Sequence, residues 1–193
     1  GARWQYRRMA GTRPLTQYLV ASSIDGFIAD EHDNLDWLLQ FGDGPEDDDT
    51  NPYNEFIKDV GPLAMGATTY EWIDRNYPGT WFYDDRPTWV FTHRELPRIT
   101  GANLIFTSEP VPEVHADMVA ASGGKNIWLV GGGDLVGQFL DHDLLDELWL
   151  SVAPVTLGRG APLLPRRHTR PMRLVAMKKA RGDTFAHLRY SLR

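Results

Sequence analysis

The chain has 193 residues, of which 42% are hydrophobic and 24% are charged, and both the length and the balance are typical of one globular domain. A formal net charge of −6 argues against broad binding to nucleic acid or to an anionic membrane surface. The chain holds no cysteine, which excludes disulfides, thiolate catalysis and cysteine-ligated metals. We therefore expect a cytoplasmic enzyme or binding protein.

The two ends of the chain differ in character. Residues 1–8 lack the apolar core of a signal peptide, and no apolar run approaches the ~20 residues that span a bilayer. We expect residues 1–14 to be a tag or a disordered tail and residues 15–193 to form one domain. No linker-like stretch divides that domain into two.

Strand and helix patterns alternate in the first half of the chain. Residues 15–24 predict a strand that ends at the turn signal Asp25-Gly26, and residues 35–39 predict a short helix or packed loop. Residues 42–52 are acidic and rich in glycine and proline, as expected of a surface loop. Residues 53–60 have helical apolar spacing, which predicts a further helix.

The alternation continues to the C-terminus. Further strands are predicted at 62–65, 88–92, 103–107, 127–130 and 147–155, and further helices begin at 67, 112 and 134. Residues 173–178 and 184–192 flank a turn and predict a hairpin. Strands that alternate with helices and end in a hairpin predict an α/β fold, with a mostly parallel central sheet and an antiparallel C-terminal edge.

A glycine triplet, Gly131 to Gly133, joins the buried strand 127–130 to the next helix. Bare backbone at a helix N-terminus suits a phosphate, because no Cβ blocks its approach and the helix end carries a partial positive charge. Asp134 would cap that helix with its carboxylate. The spacing is not the GxGxxG fingerprint, and a tight turn without a ligand explains the glycines equally well.

Two other strand ends carry similar residues. The strand at 62–65 runs through Gly66 to Thr68 and Thr69, and the strand at 88–92 ends at Thr92-His93-Arg94. Because ligands of open α/β sheets bind at the carboxyl ends of the strands, all three strand ends can converge on one ligand with several phosphates. Taken singly, the threonines would be helix caps and Arg94 a surface charge.

Other chemistries find little support. The Gly123-Gly124-Lys125 stretch lacks the hydroxyl residue of a phosphate-binding P-loop, and no GxSxG motif surrounds Ser22 or Ser23. The six histidines show no metal-ligand spacing, so no metal site is predicted.

The order of segments resembles the dihydrofolate reductase fold, a three-layer arrangement. The resemblance is nearest to the branch shared with the C-terminal reductase domain of bifunctional riboflavin-biosynthesis enzymes, and it covers residues 15–192. The motifs that carry it are VASSIDGFIA (20–29), DNLDWL (33–38), LAMGATTYEWI (63–73), VFTHR (90–94), VGGGDLVGQFL (130–140) and DELWLSVAPVTLGRGAPLL (146–164).

This resemblance implies a reductase that uses NADPH. The two glycine turns would hold the pyrophosphate, residues 92–94 the adenosine ribose and its 2′-phosphate, and Ala21 and Ile28 the nicotinamide. Ala67 departs from the family, which commonly has a basic residue there, so phosphate recognition would fall to Arg94, with Arg75 or Arg86 as further candidates. The implied cofactor-binding residues are Ala21, Ile28, Gly66, Thr68, Thr69, Thr92, His93, Arg94, Val130, Gly131, Gly132, Gly133, Asp134 and Leu135.

The resemblance also implies a small-molecule substrate, a pterin-like or pyrimidine-like ring that accepts hydride. Trp37 would line the substrate site, and residues 25–37 would form a loop over the nicotinamide. Asp25 and Glu55 are the candidate catalytic carboxylates, although Asp25 beside Gly26 is equally a turn residue.

Two rival functions are a non-catalytic NADP-binding module and a structural protein whose glycine turns bind nothing. The riboflavin branch also implies a homodimer, with the strand at 147–155 at its interface.

Overall fold

The computed structural model describes residues 13–42 and 50–193. The tail predicted at residues 1–14 lies outside the described residues up to position 12, as does most of the predicted acidic loop, at 43–49. Arg13 already belongs to the folded domain, since its guanidinium lies 3.1 Å from the buried carboxylate of Asp146.

Eight strands form the central sheet in the order β5-β4-β3-β6-β1-β7-β10-β9. All neighbours from β5 to β7 are parallel, whereas β10 runs antiparallel to both β7 and β9. The predicted fold class is therefore confirmed. The strands are β1 (Thr16–Ser22), β3 (Val60–Gly66), β4 (Thr88–Phe91), β5 (Leu104–Thr107), β6 (Asn126–Gly131), β7 (Glu147–Val152), β9 (Arg173–Ala180) and β10 (Phe185–Ser191). A separate two-stranded sheet pairs β2 (Phe27–Ala29) with β8 (Ala161–Pro162).

The described helices are α1 (Asp36–Leu39), α2 (Pro52–Phe56), α3 (Ala67–Asn76), α4 (Val111–Ala121) and α5 (Gly133–Asp141). None of these described helices has the length and apolar composition needed to cross a membrane. The helix predicted at 53–60 is wrong at its C-terminal end, because a 3-10 turn (Ile57–Asp59) follows α2 and Val60 already pairs with Asn126 in the sheet. The strand predicted to reach residue 155 also ends early, at Val152.

Side-chain alternation along β6 shows why the fold has three layers. Ile127 and Leu129 pack into a core with α4 and α5, through Val114 and Phe139 among others. Trp128 lies between them in sequence and packs on the opposite face, against α2. Successive side chains of a strand point to opposite faces, so a central strand must be apolar throughout. This continuous apolar run carries β6 through the middle of the molecule to the glycine triplet.

Candidate functional site

A cleft of about 840 Å³ opens at the carboxyl ends of β3, β4 and β6. Each of these strands reaches the cleft with its last residues, and the first turns of α3 and α5 form part of the wall. The C-terminal half of β1 lines the floor, and β2 and β8 border the opening. This is the edge at which open α/β sheets bind their ligands.

At each of the three positions in the corner between β6 and α5, a different feature of the structure explains why the residue is glycine. Gly131 has φ +137°, which favours glycine. A Cβ on Gly133 would lie 2.3 Å from the carbonyl oxygen of Pro162, so this glycine lets β8 pack against the helix. A Cβ on Gly132 would meet only the tip of Ile28, at 3.8 Å. All three glycines line the cleft, and Gly132 is the one at which a Cβ would fit without a positive φ or an overlap with backbone. The peptide bond before Gly132 is cis.

Asp134 does not cap α5, so that prediction is wrong. The N-cap residue is Gly132, and no side chain bonds to the first amides of the helix. The Asp134 carboxylate accepts hydrogen bonds from Gln138 and from Arg166, both at 3.1 Å. Arg166 also bonds Asp141, which holds the segment after β8 against the helix. The amides at the helix start are thus left open towards the cleft.

The β3–α3 corner repeats this arrangement. Its N-cap residue is Gly66, again without a side-chain hydrogen bond to the helix start. Thr68 and Thr69 line the cleft, and neither hydroxyl serves as the helix cap that offered an alternative explanation. Two helix N-termini with open amides therefore face one cleft, which favours negative charge there.

Of the three residues at the end of β4 that were predicted to bind the cofactor, two line the cleft and one does not. Thr92 and His93 line the cleft, and the Thr92 hydroxyl accepts a hydrogen bond from the Arg94 amide at 3.0 Å. The Arg94 side chain instead forms an ion pair with Glu71 on α3. Arg94 is thus the only one of the predicted cofactor residues that does not line the cleft. Its guanidinium is held outside by a partner of opposite charge.

Asp25 connects the β1–β2 turn to residues 157–158 through its hydrogen bonds. Its carboxylate accepts hydrogen bonds from the Ser23 hydroxyl at 2.6 Å, the Leu157 amide at 3.0 Å and the Gly158 amide at 2.7 Å. The Ser23 hydrogen bond, followed by those backbone bonds, lowers the pKa of Asp25 to about 2. Asp25 does not line the cleft, and a group ionised at neutral pH cannot donate a proton. These hydrogen bonds give Asp25 a structural role, and its catalytic role stays a prediction.

Glu55 and Trp37 also lie away from the cleft. Glu55 is exposed on α2. The Trp37 indole donates a hydrogen bond to the Asn34 carbonyl at 3.2 Å and packs beside Phe185. Leu35 and Leu38 line the cleft in its place. Residues three apart share one face of a helix and position 37 falls on another, so Trp37 does not line this cleft and its contact with a substrate stays a prediction.

The inner wall of the cleft contains residues that sequence reasoning missed. It consists of Leu19, Tyr83, Trp128 and Val130, which belong to one apolar cluster. The rings of Tyr83 and Trp128 meet edge to face, with centroids 5.5 Å apart. Tyr83 lies in the irregular segment between α3 and β4, where no periodic pattern indicates a role. This wall suits a flat ring.

The charged groups that line the cleft, among the described residues, are acidic or histidine side chains. They are Asp33, His93, Glu109 and Asp134, and no lysine or arginine of the described residues joins them. An anion in this cleft is therefore bound by backbone amides and hydroxyls. The carboxylate of Asp33, on an exposed turn with φ +57°, is a further group missed by the sequence analysis.

A second polar cluster lies between β7 and β10, away from the cleft. Ser151 and His187 are 3.3 Å apart, and burial lowers the pKa of His187 to about 4, so its ring is neutral at neutral pH. His187 is only 3% exposed.

These features define an α/β protein with a dihydrofolate-reductase-like fold. The dihydrofolate reductase of Enterococcus faecalis, solved in a complex with NADP(H), has this fold: it superimposes with a TM-score of 0.62 at 16% identity, over 93% of this chain and 96% of that one. The sequence profile of the RibD C-terminal domain matches residues 68–185. The chain belongs to the RibD C-terminal domain family, as the sequence resemblance led us to expect.

Two relatives extend this similarity over most of the chain. A putative riboflavin biosynthesis protein from Shewanella sp. PV-4 superimposes with a TM-score of 0.74 at 25% identity, over 92% of this chain and 98% of that one. The uncharacterised protein YwjB of Bacillus subtilis (strain 168) is 34% identical over 148 residues, which are 77% of this chain and 81% of YwjB.

Proposed function

We propose that the protein is an NADPH-dependent reductase that delivers hydride to a pterin-like or pyrimidine-like ring. One observation carries this proposal: a single cleft has one part suited to phosphates and another suited to flat rings. Uncapped helix starts at Gly66 and Gly132 suit phosphates, and the wall around Trp128 suits flat rings. A dinucleotide and a ring substrate need both.

The residues present fit this cofactor. The amides after Gly66 and Gly132, with the hydroxyls of Thr68 and Thr69, would hold the pyrophosphate, and Thr92 and His93 the adenosine ribose. The bare face at Gly132 is the space that a Cβ would take from the ligand. Hydride donation is the chemistry that NADPH supplies when bound.

The protein's own contribution is positioning and the exclusion of water. Ala21 and Ile28 border the predicted nicotinamide position and lie on β1 and β2. β2 is fastened to β8 by strand pairing and by the hydrogen bond from the Leu163 amide to the Gly26 carbonyl, at 3.0 Å. The paired strands β2 and β8, which we call the strap, border the cleft beside the β6–α5 corner. Among the described residues, Asp33 is the carboxylate that lines the cleft near this strap.

Binding of NADPH is the first test. Titration of the purified protein, followed by nicotinamide fluorescence, is expected to give a saturable change at micromolar cofactor. NADH is expected to bind more weakly, because Thr92 and His93 offer hydrogen bonds to a 2′-phosphate. A titration that does not saturate at micromolar NADPH would overturn the proposed cofactor.

A non-catalytic NADP-binding module is the rival function. It is favoured by one observation: neither Asp25 nor Glu55 lines the cleft. A panel of dihydropterins and pyrimidinones separates the two functions. Oxidation of bound NADPH by any member supports the reductase, whereas tight binding without oxidation across the panel supports the module.

We also propose that the partner of this chain is a second copy, bound through β9. The expected interface strand, β7, is paired on both sides by β1 and β10, so it has no free edge. On β9, by contrast, Leu174, Val175 and Met177 are 46%, 39% and 70% exposed. Lys178 and Lys179 oppose edge-to-edge pairing, so the apolar surface of the strand would pack on its symmetry mate.

Light scattering tests this dimer. The wild-type protein is expected to have twice the monomer mass, and Met177→Asp is expected to shift it to the monomer. Ile24→Asp provides the control, because Ile24 is equally apolar and 63% exposed but lies in the β1–β2 turn. A monomeric wild type, or a Met177→Asp dimer, would rule out this interface.

A further inference from the structure

We infer that Tyr83 determines substrate specificity in the cleft. Its phenol would donate a hydrogen bond to a carbonyl oxygen of a flat substrate ring that lies against Trp128. This inference rests on the proposed reductase function and deepens it, because it names the chemical feature that a substrate must carry.

The ring of Tyr83 is held firmly by its neighbours. It meets Trp81 edge to face at 5.0 Å and Trp128 edge to face at 5.5 Å. Trp128 is itself fixed by Phe56 at 5.6 Å and by a hydrogen bond from its indole to the Leu19 carbonyl, at 3.3 Å. Aromatic pairs in this geometry set ring orientation as well as contributing apolar burial. The Tyr83 side chain is therefore pre-organised before any ligand binds.

The hydroxyl of Tyr83 has no hydrogen-bond partner within the part of the chain that the structure describes. Other buried tyrosines here are paired: the Tyr18 hydroxyl donates to the Leu163 carbonyl at 2.9 Å, and the Tyr70 hydroxyl accepts from the Ile99 amide at 2.9 Å. Tyr83 is half-buried and lines the cleft, so a ligand bound in the cleft can supply the missing partner. Burial raises the pKa of Tyr83, and the phenol stays protonated as a donor.

Tyr83 also lies close to the predicted site of hydride transfer. Leu19 and Ala21 are two residues apart on β1, and Trp128 and Val130 are two residues apart on β6. Side chains at that spacing share a face and lie about 7 Å apart. The inner wall and the residues that border the predicted nicotinamide position are therefore neighbours along β1 and β6. A flat ring bound against Trp128 would therefore lie beside Tyr83 and beside the predicted nicotinamide position.

The rest of the inner wall is apolar, which gives this one hydroxyl its importance. Leu19, Trp128 and Val130 offer contact area but nothing that fixes the orientation of a ring. A site with few polar groups takes its specificity from them, and an analogue that lacks the matching group leaves a polar group unpaired. We expect the hydrogen bond to be worth about tenfold in affinity.

A matched pair of probes tests the inference. Isocytosine and 2-aminopyrimidine differ by the ring carbonyl and its attendant proton, and the binding of each to the NADPH-saturated protein can be measured by ligand-observed NMR. The wild type is expected to bind isocytosine about tenfold more tightly. Tyr83→Phe is expected to remove this preference while leaving the binding of 2-aminopyrimidine unchanged.

Tyr53→Phe is the control variant. Tyr53 contacts the same Trp128 edge to face at 5.8 Å but does not line the cleft, so this variant is expected to keep the preference. Retention of the preference in Tyr83→Phe, or no preference in the wild type, would overturn the inference. NADPH titration of all three proteins keeps the two proposals separate. Failure of NADPH to bind the wild type contradicts the reductase itself, whereas normal NADPH binding with an unchanged preference contradicts only the role of Tyr83.

Discussion

Alanine substitutions at two adjacent glycines are expected to have opposite consequences. Gly133→Ala is expected to lower the free energy of unfolding by about 3 kcal/mol or more, because its Cβ would lie 2.3 Å and 2.6 Å from two backbone oxygens of residues 162 and 163. Gly132→Ala is expected to fold normally, since its Cβ meets only the Ile28 side chain at 3.8 Å. That Cβ enters the cleft, and NADPH affinity is expected to fall at least about tenfold, or 1.4 kcal/mol.

Urea denaturation and NADPH titration, applied to both variants, provide the two measurements. Each variant controls for the other, because the substitutions are chemically identical and one residue apart. If Gly132→Ala binds NADPH as the wild type does, the corner is a tight turn and not a phosphate site. If Gly133→Ala is fully stable, then β8 does not pack on α5 as closely as the structure shows.

The fold was largely predictable because its central strands carry their own signal. A fully apolar strand such as Ile127 to Val130 indicates a buried parallel strand, and the glycines after it mark a helix start. The error at residues 53–60 has a tertiary cause. Helical spacing continues through Val60, but this residue pairs with Asn126, which is far away in the sequence. A local pattern cannot register a competing partner of that kind.

The candidate site was predictable only where backbone defines it. The two glycine corners follow from strand–helix junctions, which sequence patterns reveal. Side chains at the cleft depend on partners distant in sequence: Arg94 is withdrawn by Glu71, and Asp25 is occupied by Leu157, 132 residues away. Tyr83 lies in an irregular segment, so no spacing indicates that it lines the cleft. Sequence therefore predicted the backbone parts of the cleft better than its side-chain parts.

Asp25 is expected to act on the cleft through the strap that it anchors. Asp25→Ala removes the acceptor for the Ser23 hydroxyl and for the amides of Leu157 and Gly158, which tie the start of β2 to the segment before β8. We expect NADPH affinity to fall at least about tenfold, since Ile28 on β2 borders the proposed nicotinamide position. Amide exchange across residues 23–29 is expected to accelerate. Glu55→Gln, an exposed carboxylate off the cleft, is expected to change neither quantity.

The pH dependence of NADPH oxidation distinguishes a structural role of Asp25 from a role as proton donor. The folded pKa of Asp25, about 2, lies below its ordinary value of 3.8, so the carboxylate stabilises the strap above pH 3.8 and loses this effect as the pH falls towards 2. The pH profile of NADPH oxidation near neutrality is therefore expected to keep its shape in Asp25→Asn. An amide retains one oxygen acceptor, so this variant is expected to keep measurable turnover. Complete loss of turnover in Asp25→Asn, with NADPH affinity and amide exchange both as in the wild type, would instead identify Asp25 as the proton donor.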